Sequence, residues 1–304
     1  MNINKKNILI TGALGQDGLI LSNLLIKKKY NVYGIIKNKK YKNRNTKVKY
    51  KKLDSNNKKK IYNYIKKIKP KTIVHLGSNN PSYIDKVKSD KFYKENIYFT
   101  KSLIEALVAN NLKVHFIFAN SSQIFSKNKN KVNENSRLNA LTHYSRFRVD
   151  IQNSLLKFKN NKNFLYTNLI LFNHDSKLRN KKFLLPRLVK AIKNKDLKFI
   201  NEIYKENIIA DFSHAEDICK AIYLLIEKNI SINNLILSSG KKTKVNDLIE
   251  YLNLKNKLNL KLSRKVKKNN NYLIGNNNLA KKLLKWRPKK NIFDALIEMY
   301  KNID

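Results

Sequence analysis

The segment Ile8-Leu-Ile-Thr-Gly-Ala-Leu-Gly-Gln-Asp-Gly18 constrains the fold of this chain more than any other, because an apolar run passes without a break into three evenly spaced glycines. A strand that ends this way must turn sharply. Gly12 permits the tight turn, Gly15 lets backbone come close to a bound group, and Gly18 lets the following helix pack tightly. That spacing suits a dinucleotide pyrophosphate seated on the positive N-terminus of a helix, read here as beginning at Leu19. An ordinary strand-turn-helix connection could carry the same glycines. The flanks favour the nucleotide: an amphipathic helix (Leu19, Leu21, Leu24, Leu25) follows, and a second apolar strand comes at Asn31–Ile36.

Strand-like apolar runs recur at Asn7–Ile10, Asn31–Ile36, Thr72–Leu76, Val114–Phe118, Leu165–Leu171 and Asn234–Leu237, with helical patterns between most of them. Such alternation predicts a doubly wound parallel α/β sheet. Phe92–Ala109 and Tyr144–Lys157 read as long helices whose apolar faces are broad enough for the sheet and for a second subunit, so a homodimer or homotetramer is expected. From Phe183 the pattern turns irregular, with helices at Phe183–Ile192 and Ala215–Lys228, short pieces to Ile274, and a last helix near Phe293–Asn302. Residues 1–172 with a return over 207–240 are therefore assigned to a dinucleotide-binding domain, and 173–206 with 241–304 to a smaller, interleaved C-terminal α/β substrate lobe. No internal repeat and no Gly/Pro/Ser-rich linker separates the two.

The 304 residues carry 65 Lys and Arg against 21 Asp and Glu, a formal charge of +44, which taken alone points to nucleic acid or an anionic membrane. Lysine is spread through every segment with abundant Asn and Ile, all encoded by AT-rich codons, so compositional drift accounts for it as well. No recognition motif accompanies the charge, and no specific nucleic-acid partner is expected. The densest patches, Lys37–Lys52 and Lys58–Lys71, interleave Tyr41, Tyr50, Tyr62 and Tyr64. A tyrosine on a lysine-rich helix usually packs inward. No apolar stretch approaches the ~20 residues of a membrane span, and Met1–Lys6 leads directly into the first strand, so a cytoplasmic protein is expected. The lone Cys219 excludes an intrachain disulfide and a multi-cysteine metal site, and reads as a small core residue.

Here the chain resembles the extended short-chain dehydrogenase/reductase superfamily, and within it the GDP-mannose 4,6-dehydratase family, nearly end to end. The resemblance rests on Thr11-Gly-Ala-Leu-Gly-Gln-Asp-Gly18 and Leu171-Phe-Asn-His-Asp-Ser176, supported by Asp211-Phe-Ser-His-Ala-Glu-Asp217, Leu273-Ile-Gly275 and Lys285-Trp-Arg-Pro288. It implies a Rossmann-like fold and places Thr11, Gly12, Gly15, Gln16, Asp17 and Gly18 around a dinucleotide. Asp54 matches an aspartate beside the adenine, Leu76, Gly77 and Ser78 match the segment along the cofactor, and Asn96 an inward-facing helix position. An acidic residue near the end of the second strand would hold an NAD ribose. Ile36-Lys-Asn-Lys-Lys40 offers Lys37 and no carboxylate there, which favours NADP, the cofactor that the resemblance also implies.

The resemblance further implies oxidation of the sugar C4 hydroxyl by hydride transfer, removal of the acidified C5 proton, loss of the C6 hydroxyl as water, and return of the hydride to C6. GDP-mannose is the implied substrate. In the family a tyrosine acts at C4, a neighbouring cation lowers its pKa, a hydroxyl side chain orients the oxygen, and a glutamate handles the C5 proton. Tyr144 and Ser121 match the tyrosine and the hydroxyl. Arg148 stands in place of the lysine; its planar guanidinium favours a phenolate but cannot relay a proton. Gln123 stands in place of the glutamate, and a carboxamide has no useful basicity near neutral pH. Adjacent His143 is the nearest replacement, although a histidine at a helix start more often caps it or lies at the surface. On the substrate side Asn173 and Arg187 match residues implied at the nucleotide diphosphate. Ala210 and Val266 stand where arginines are expected, with Lys267 able to supply a point charge.

Two other readings remain open. An NADP-dependent C4 reductase or epimerase needs Ser121, Tyr144 and a cation but no C5 base. A non-catalytic sugar-nucleotide-binding subunit would accommodate the changes at 123, 148 and 210 together.

Overall fold

The computed structural model describes residues 6–37, 45–79, 89–126, 130–269 and 271–303. Met1–Lys5, Asn38–Lys40 and Tyr41, on which parts of the reading above fall, lie outside the described residues.

Strand β1 (Asn7–Thr11) runs through the glycine turn into α1 (Gln16–Lys27), followed by β2 (Asn31–Ile36), β3 (Lys49–Lys52), α2 (Lys58–Ile68) and β4 (Thr72–His75). Next come α3 (Ser89–Ala109), β5 (Val114–Ser121), a 3-10 turn over Ser122–Ile124, β6 (Asn130–Val132), α4 (His143–Leu156), β7 (Phe164–Leu171) and β8 (Asn173–Asp175). The chain then forms α5 (Leu184–Lys193), α6 (Leu197–Glu206), β9 (Ile209–Ala210), β10 (Phe212–His214), α7 (Ala215–Glu227) and β11 (Asn234–Leu237). It ends with β12 (Thr243–Lys244), α8 (Val245–Lys255), β13 (Leu273–Gly275), α9 (Asn278–Leu284) and α10 (Ile292–Asn302).

Seven strands form one sheet in the order β11-β7-β5-β4-β1-β2-β3, and the five strands from β5 to β3 are mutually parallel. The chain winds outward from β1 to one edge, then returns beside β1 with β4 and winds outward again. β1 and β4 therefore flank the reversal point, where crevices open beyond the carboxyl ends of the strands. Thr11 and His75 are register partners at those ends.

The chain forms two compact units. The first holds Met1–Ile124, Leu138–Ile170 and Cys219–Leu235, and the second Phe125–Arg137, Leu171–Ile218 and Ile236–Asp304. In the first, side chains of β1 alternate between sheet faces, and Leu9 joins Ile73 and Phe116 under α2, α3 and α4. Helix α2 shows why: Ile61, Ile65 and Ile68 form one buried stripe while the lysines face water. Each fully buried Ile contributes roughly 1.5–3 kcal/mol. Tyr62 and Tyr64 pack against this core, as expected for tyrosines in a lysine-rich helix. The second unit has its own core of α5, α8 and α10 side chains, among them Leu188, Leu248 and Leu296, with Ile200 of α6 and Phe212.

Three local expectations change. Helix α1 begins at Gln16 rather than Leu19, because Gly15 is its N-cap and Gly18 lies inside it. Strand β3 was not legible: Lys49-Tyr-Lys-Lys52 is polar because it is the outer strand of the sheet, where lysines discourage pairing with another chain. Two further helices stand where the sequence reading has none, one between the expected helices at 183–192 and 215–228 and one in the stretch read as short pieces. Helices α6 and α8 are each ten or eleven residues long, and Val245, Leu248, Ile249 and Leu252 mark α8 with clear helical spacing. Cys219 is buried as expected, its thiol 3.6 Å from the Asp17 carbonyl.

Candidate active site

The glycine loop is shaped by close backbone approach. Gly12 takes φ +67°, and a Cβ there would come within 2.9 Å of Gly77 backbone. A Cβ at Gly18 would lie 2.4 Å from the Gly12 carbonyl oxygen, so α1 packs on the turn only because that position is bare. Gly15 differs. A Cβ there would meet only the Gly12 oxygen, at 3.3 Å, and otherwise open space. No side chain caps α1 at Gly15. A bare, uncapped helix N-terminus opening onto space fits an anionic pyrophosphate. Gln16 is buried and its amide donates to the Asp17 carboxylate at 3.0 Å, bracing the first turn.

Behind the loop a directional hydrogen-bond chain joins β1, β4 and α3. The Gly77 N–H donates to Thr11 Oγ1 at 3.0 Å, and Thr11 Oγ1 lies 2.6 Å from His75 Nδ1. On the other side His75 Nε2 lies 2.9 Å from Thr100 Oγ1, which donates to the Asn96 carbonyl at 2.8 Å. Since the Thr100 hydroxyl proton is already committed, the ring must donate from Nε2 and accept at Nδ1 from Thr11. His75 is thus a neutral, single tautomer. Burial, and then the charge of Arg148, hold its pKa down at about 3. Asn96 continues the chain, accepting from the Asn79 N–H at 2.8 Å and donating to the Asn79 carbonyl at 2.9 Å. The backbone of Gly77 and Asn79 is therefore fixed by the groups behind it.

Tyr144 and Arg148 lie one turn apart on α4, whose start is set by a capping box between Thr142 and Ser145. The cap is Thr142 and not His143, whose ring packs edge-on against Tyr93. Arg148 is 5% exposed, a figure that demands partners for its guanidinium, and no carboxylate pairs with it among the described residues. It donates to the Tyr144 hydroxyl at 2.9 Å, to Ser78 Oγ at 2.7 Å and to the Ala119 carbonyl. The faces of Phe118, Tyr144 and Phe147 lie 4.8–5.3 Å from its carbon. A buried cation held by hydroxyls and ring faces keeps its charge available to an incoming anion or phenolate.

Ser121 ends β5, beside Asn120, whose Oδ1 accepts the Ser121 N–H at 2.7 Å. Asn120 Nδ2 reaches Gln152 at 3.1 Å and Asn168 at 2.8 Å, a buried amide cluster that ties β5 to α4 and β7. Ser121 Oγ accepts the Gln123 N–H at 3.2 Å, and the Gln123 side chain is exposed. Lys37 follows β2 and donates to Asn79 Oδ1 at 2.7 Å. Asp54 is exposed, and its carboxylate accepts the Asn56 N–H at 2.9 Å in a local turn.

The substrate residues read from the sequence fall in the second unit. Asn173, exposed on β8, donates to the Asp211 carbonyl at 3.3 Å. Arg187, exposed on α5, lies 4.8 Å over the Phe199 ring. Lys267 is paired with Glu206 at 2.5 Å, so its charge already has a local partner. Asp211 plays an internal part that the sequence did not disclose. Fully buried, it accepts the N–H groups of Ser239 (2.9 Å), Gly240 (3.0 Å) and Gly275 (3.2 Å) and the Ser239 hydroxyl (2.6 Å). Burial still pushes its carboxyl above the usual range against those donors. Asp217 accepts the N–H groups of Lys289 and Lys290, and its carbonyl takes the Trp286 indole N–H at 3.0 Å. Motif pieces far apart in sequence are thus partners in space. Thr100, Glu95 and the Ala119 carbonyl were not found in advance, since only strand register and helix packing bring them to the site.

A family model for GDP-mannose 4,6 dehydratase matches residues 9–299. GDP-mannose 4,6 dehydratase of Dictyostelium discoideum is 24% identical, covering 98% of this chain and 96% of its own length. The Homo sapiens protein of the same name is 26% identical over 80% of this chain and 70% of its own. Among solved structures, UDP-glucose 4-epimerase of Thermotoga maritima superposes with a TM-score of 0.82 at 18% identity, covering 97% of this chain and 98% of that one. UDP-glucose 4-epimerase of Bifidobacterium longum, solved with NAD+ and UDP, gives 0.83 at 16% identity over 98% of both chains. The fold is the Rossmann-type fold of these epimerases, and the match along nearly the whole sequence decides the family: the chain belongs to the GDP-mannose 4,6-dehydratases of the extended short-chain dehydrogenase/reductase superfamily.

Proposed function

We propose that the chain is an NADP-dependent nucleotide-sugar 4,6-dehydratase acting on GDP-mannose. One observation carries the reading: the Tyr144 hydroxyl and the buried Arg148 guanidinium are in hydrogen-bond contact at 2.9 Å, beside Ser78 on the segment that follows β4. A dinucleotide held there would supply the hydride acceptor for C4 and the hydride returned to C6. Arg148 favours the phenolate form of Tyr144, and that phenolate takes the C4 hydroxyl proton. Ser121 orients the C4 oxygen. Water leaves from C5 and C6, so the reaction is redox-neutral. Thr11 to Gly18 and Leu76 to Ser78 would cradle the dinucleotide, Lys37 would meet its 2′-phosphate and Asp54 would lie beside the adenine. Asn173, Arg187 and Lys267 would face the substrate diphosphate. A homodimer or homotetramer fits the exposed Tyr98, Val108 and Leu156 on α3 and α4. No helix among the described residues is long and apolar enough to cross a membrane, and we place the protein in the cytoplasm.

Gln123 supports a second reading. Its exposed carboxamide cannot take the C5 proton, and loss of a positioned base costs ~10²–10⁴ in rate. A C4 epimerase or reductase needs no such base. Purified protein incubated with GDP-mannose and catalytic NADP should release one water, followed by mass spectrometry of the sugar nucleotide, and Tyr144→Phe should abolish the product. No water loss despite binding of both ligands overturns the dehydratase reading. Stoichiometric NADPH consumption then marks a reductase, an isomeric sugar an epimerase, and neither a silent binding subunit.

A further inference from the structure

We propose that Asn79 and Glu95 are positioning residues that hold the Lys37 ammonium where it reads the 2′-phosphate, and so set the choice between NADP and NAD. The inference rests on the reading that Lys37 meets that phosphate.

Lys37 sits just past β2, and its long stem would otherwise sample many rotamers. It is held instead: Nζ donates to Asn79 Oδ1 at 2.7 Å. Asn79 follows β4, and β2 and β4 lie on either side of β1. The contact therefore crosses the carboxyl edge of the sheet, where the crevice opens. Asn79 has no freedom to turn. Asn96 clamps its backbone N–H and carbonyl at 2.8 and 2.9 Å. Its side-chain Nδ2 donates to Glu95 Oε2 at 2.7 Å, and a carboxylate can only accept, so the oxygen end of the amide must face Lys37. Glu95 thus sets the orientation of a group that it reaches only through Asn79.

The identity of the contact matters. Lys58, Lys94, Lys267 and Lys290 are paired directly with carboxylates, which cancel their charge. Lys37 is held by a neutral amide, which fixes the ammonium without neutralising it. One of its three N–H groups is used, leaving two for a phosphate.

Binding of NADPH and of NADH to the full chain, followed by fluorescence titration at one fixed ionic strength, tests this. The wild-type chain should prefer NADPH by about tenfold or more, and Lys37→Met should remove the preference. Asn79→Ala and Glu95→Ala should each weaken NADPH binding several-fold and leave NADH binding unchanged. A carboxylate acting only through its charge predicts the opposite sign, because removing Glu95 would then tighten NADPH. Tighter or unchanged NADPH binding in Glu95→Ala overturns the inference, as does equal weakening of both dinucleotides, the mark of a structural role. A wild-type chain that binds both equally overturns the NADP reading itself, and the inference falls with it.

Discussion

The glycine loop Gly12–Gly18 and the acidic segment Asp211–Asp217 both carry family motifs, yet they use their polar groups in opposite ways. The loop leaves a helix N-terminus without a side-chain cap and one bare position, Gly15, facing open space. In the acidic segment the chain itself satisfies the two aspartates: both Asp211 oxygens accept donors from Ser239, Gly240 and Gly275, and Asp217 holds Lys289, Lys290 and Trp286. His214 is only half met: its Nδ1 accepts the Glu216 N–H at 3.2 Å at the start of α7, while its Nε2 lies 3.6 Å from Glu298 Oε1. The lesson is that a motif's polarity does not reveal whether it meets a ligand. What separates the two regions is whether the chain itself satisfies the groups.

The contrast can be broken most directly at Asp211. Asp211→Ala strands the four donors that converge on a fully buried carboxylate and should cost ~3–5 kcal/mol in urea denaturation, as expected when one member of a buried polar network is lost. A loss below ~1 kcal/mol would show that the segment is not internally closed. At the glycine loop the effects should divide between neighbours. Gly18→Ala places a methyl against the backbone of Gly12 and Ala13 and should lower stability by ~1–3 kcal/mol. Gly15→Ala should leave stability nearly unchanged but weaken NADPH binding, since its methyl enters the open face. Reversal of that pattern would contradict the division of roles.

A smaller effect comes from two of the buried histidines, His75 and His115. Burial holds His115 at about 4, and burial with Arg148 holds His75 at about 3, against an ordinary value of 6.5. Below pH 6.5 the unfolded chain takes up protons that the folded chain refuses, so stability falls as the pH drops toward those values. Each histidine should contribute a slope of up to ~1.4 kcal/mol per pH unit. Denaturation of His115→Gln at pH 4.5–7 should show the shallower dependence, and an unchanged slope would rule out a neutral buried His115.

Much of the fold was legible because it rests on local rules. Apolar runs of four to seven residues between helical stretches announced the sheet, and the glycine spacing announced the turn at β1. Strand β3 escaped because an edge strand need not be apolar, and α6 and α8 were obscured by the lysine and asparagine background. At the candidate site, Ser121, Tyr144 and Arg148 could be named from their motif context. That Arg148 is buried without a carboxylate partner among the described residues, with Ser78 and the Ala119 carbonyl as partners, could not.

By itself the sequence determined the sheet, the glycine turn and the residue types offered for chemistry, since periodicity and backbone freedom are properties of neighbouring residues. Tertiary structure alone decided which polar groups find partners. Asp211 meets Gly275, His75 meets Thr100, and Glu95 orients Asn79 against Lys37 because hydrogen bonding acts over about 3 Å. Only the folded chain brings residues so far apart in sequence to that distance.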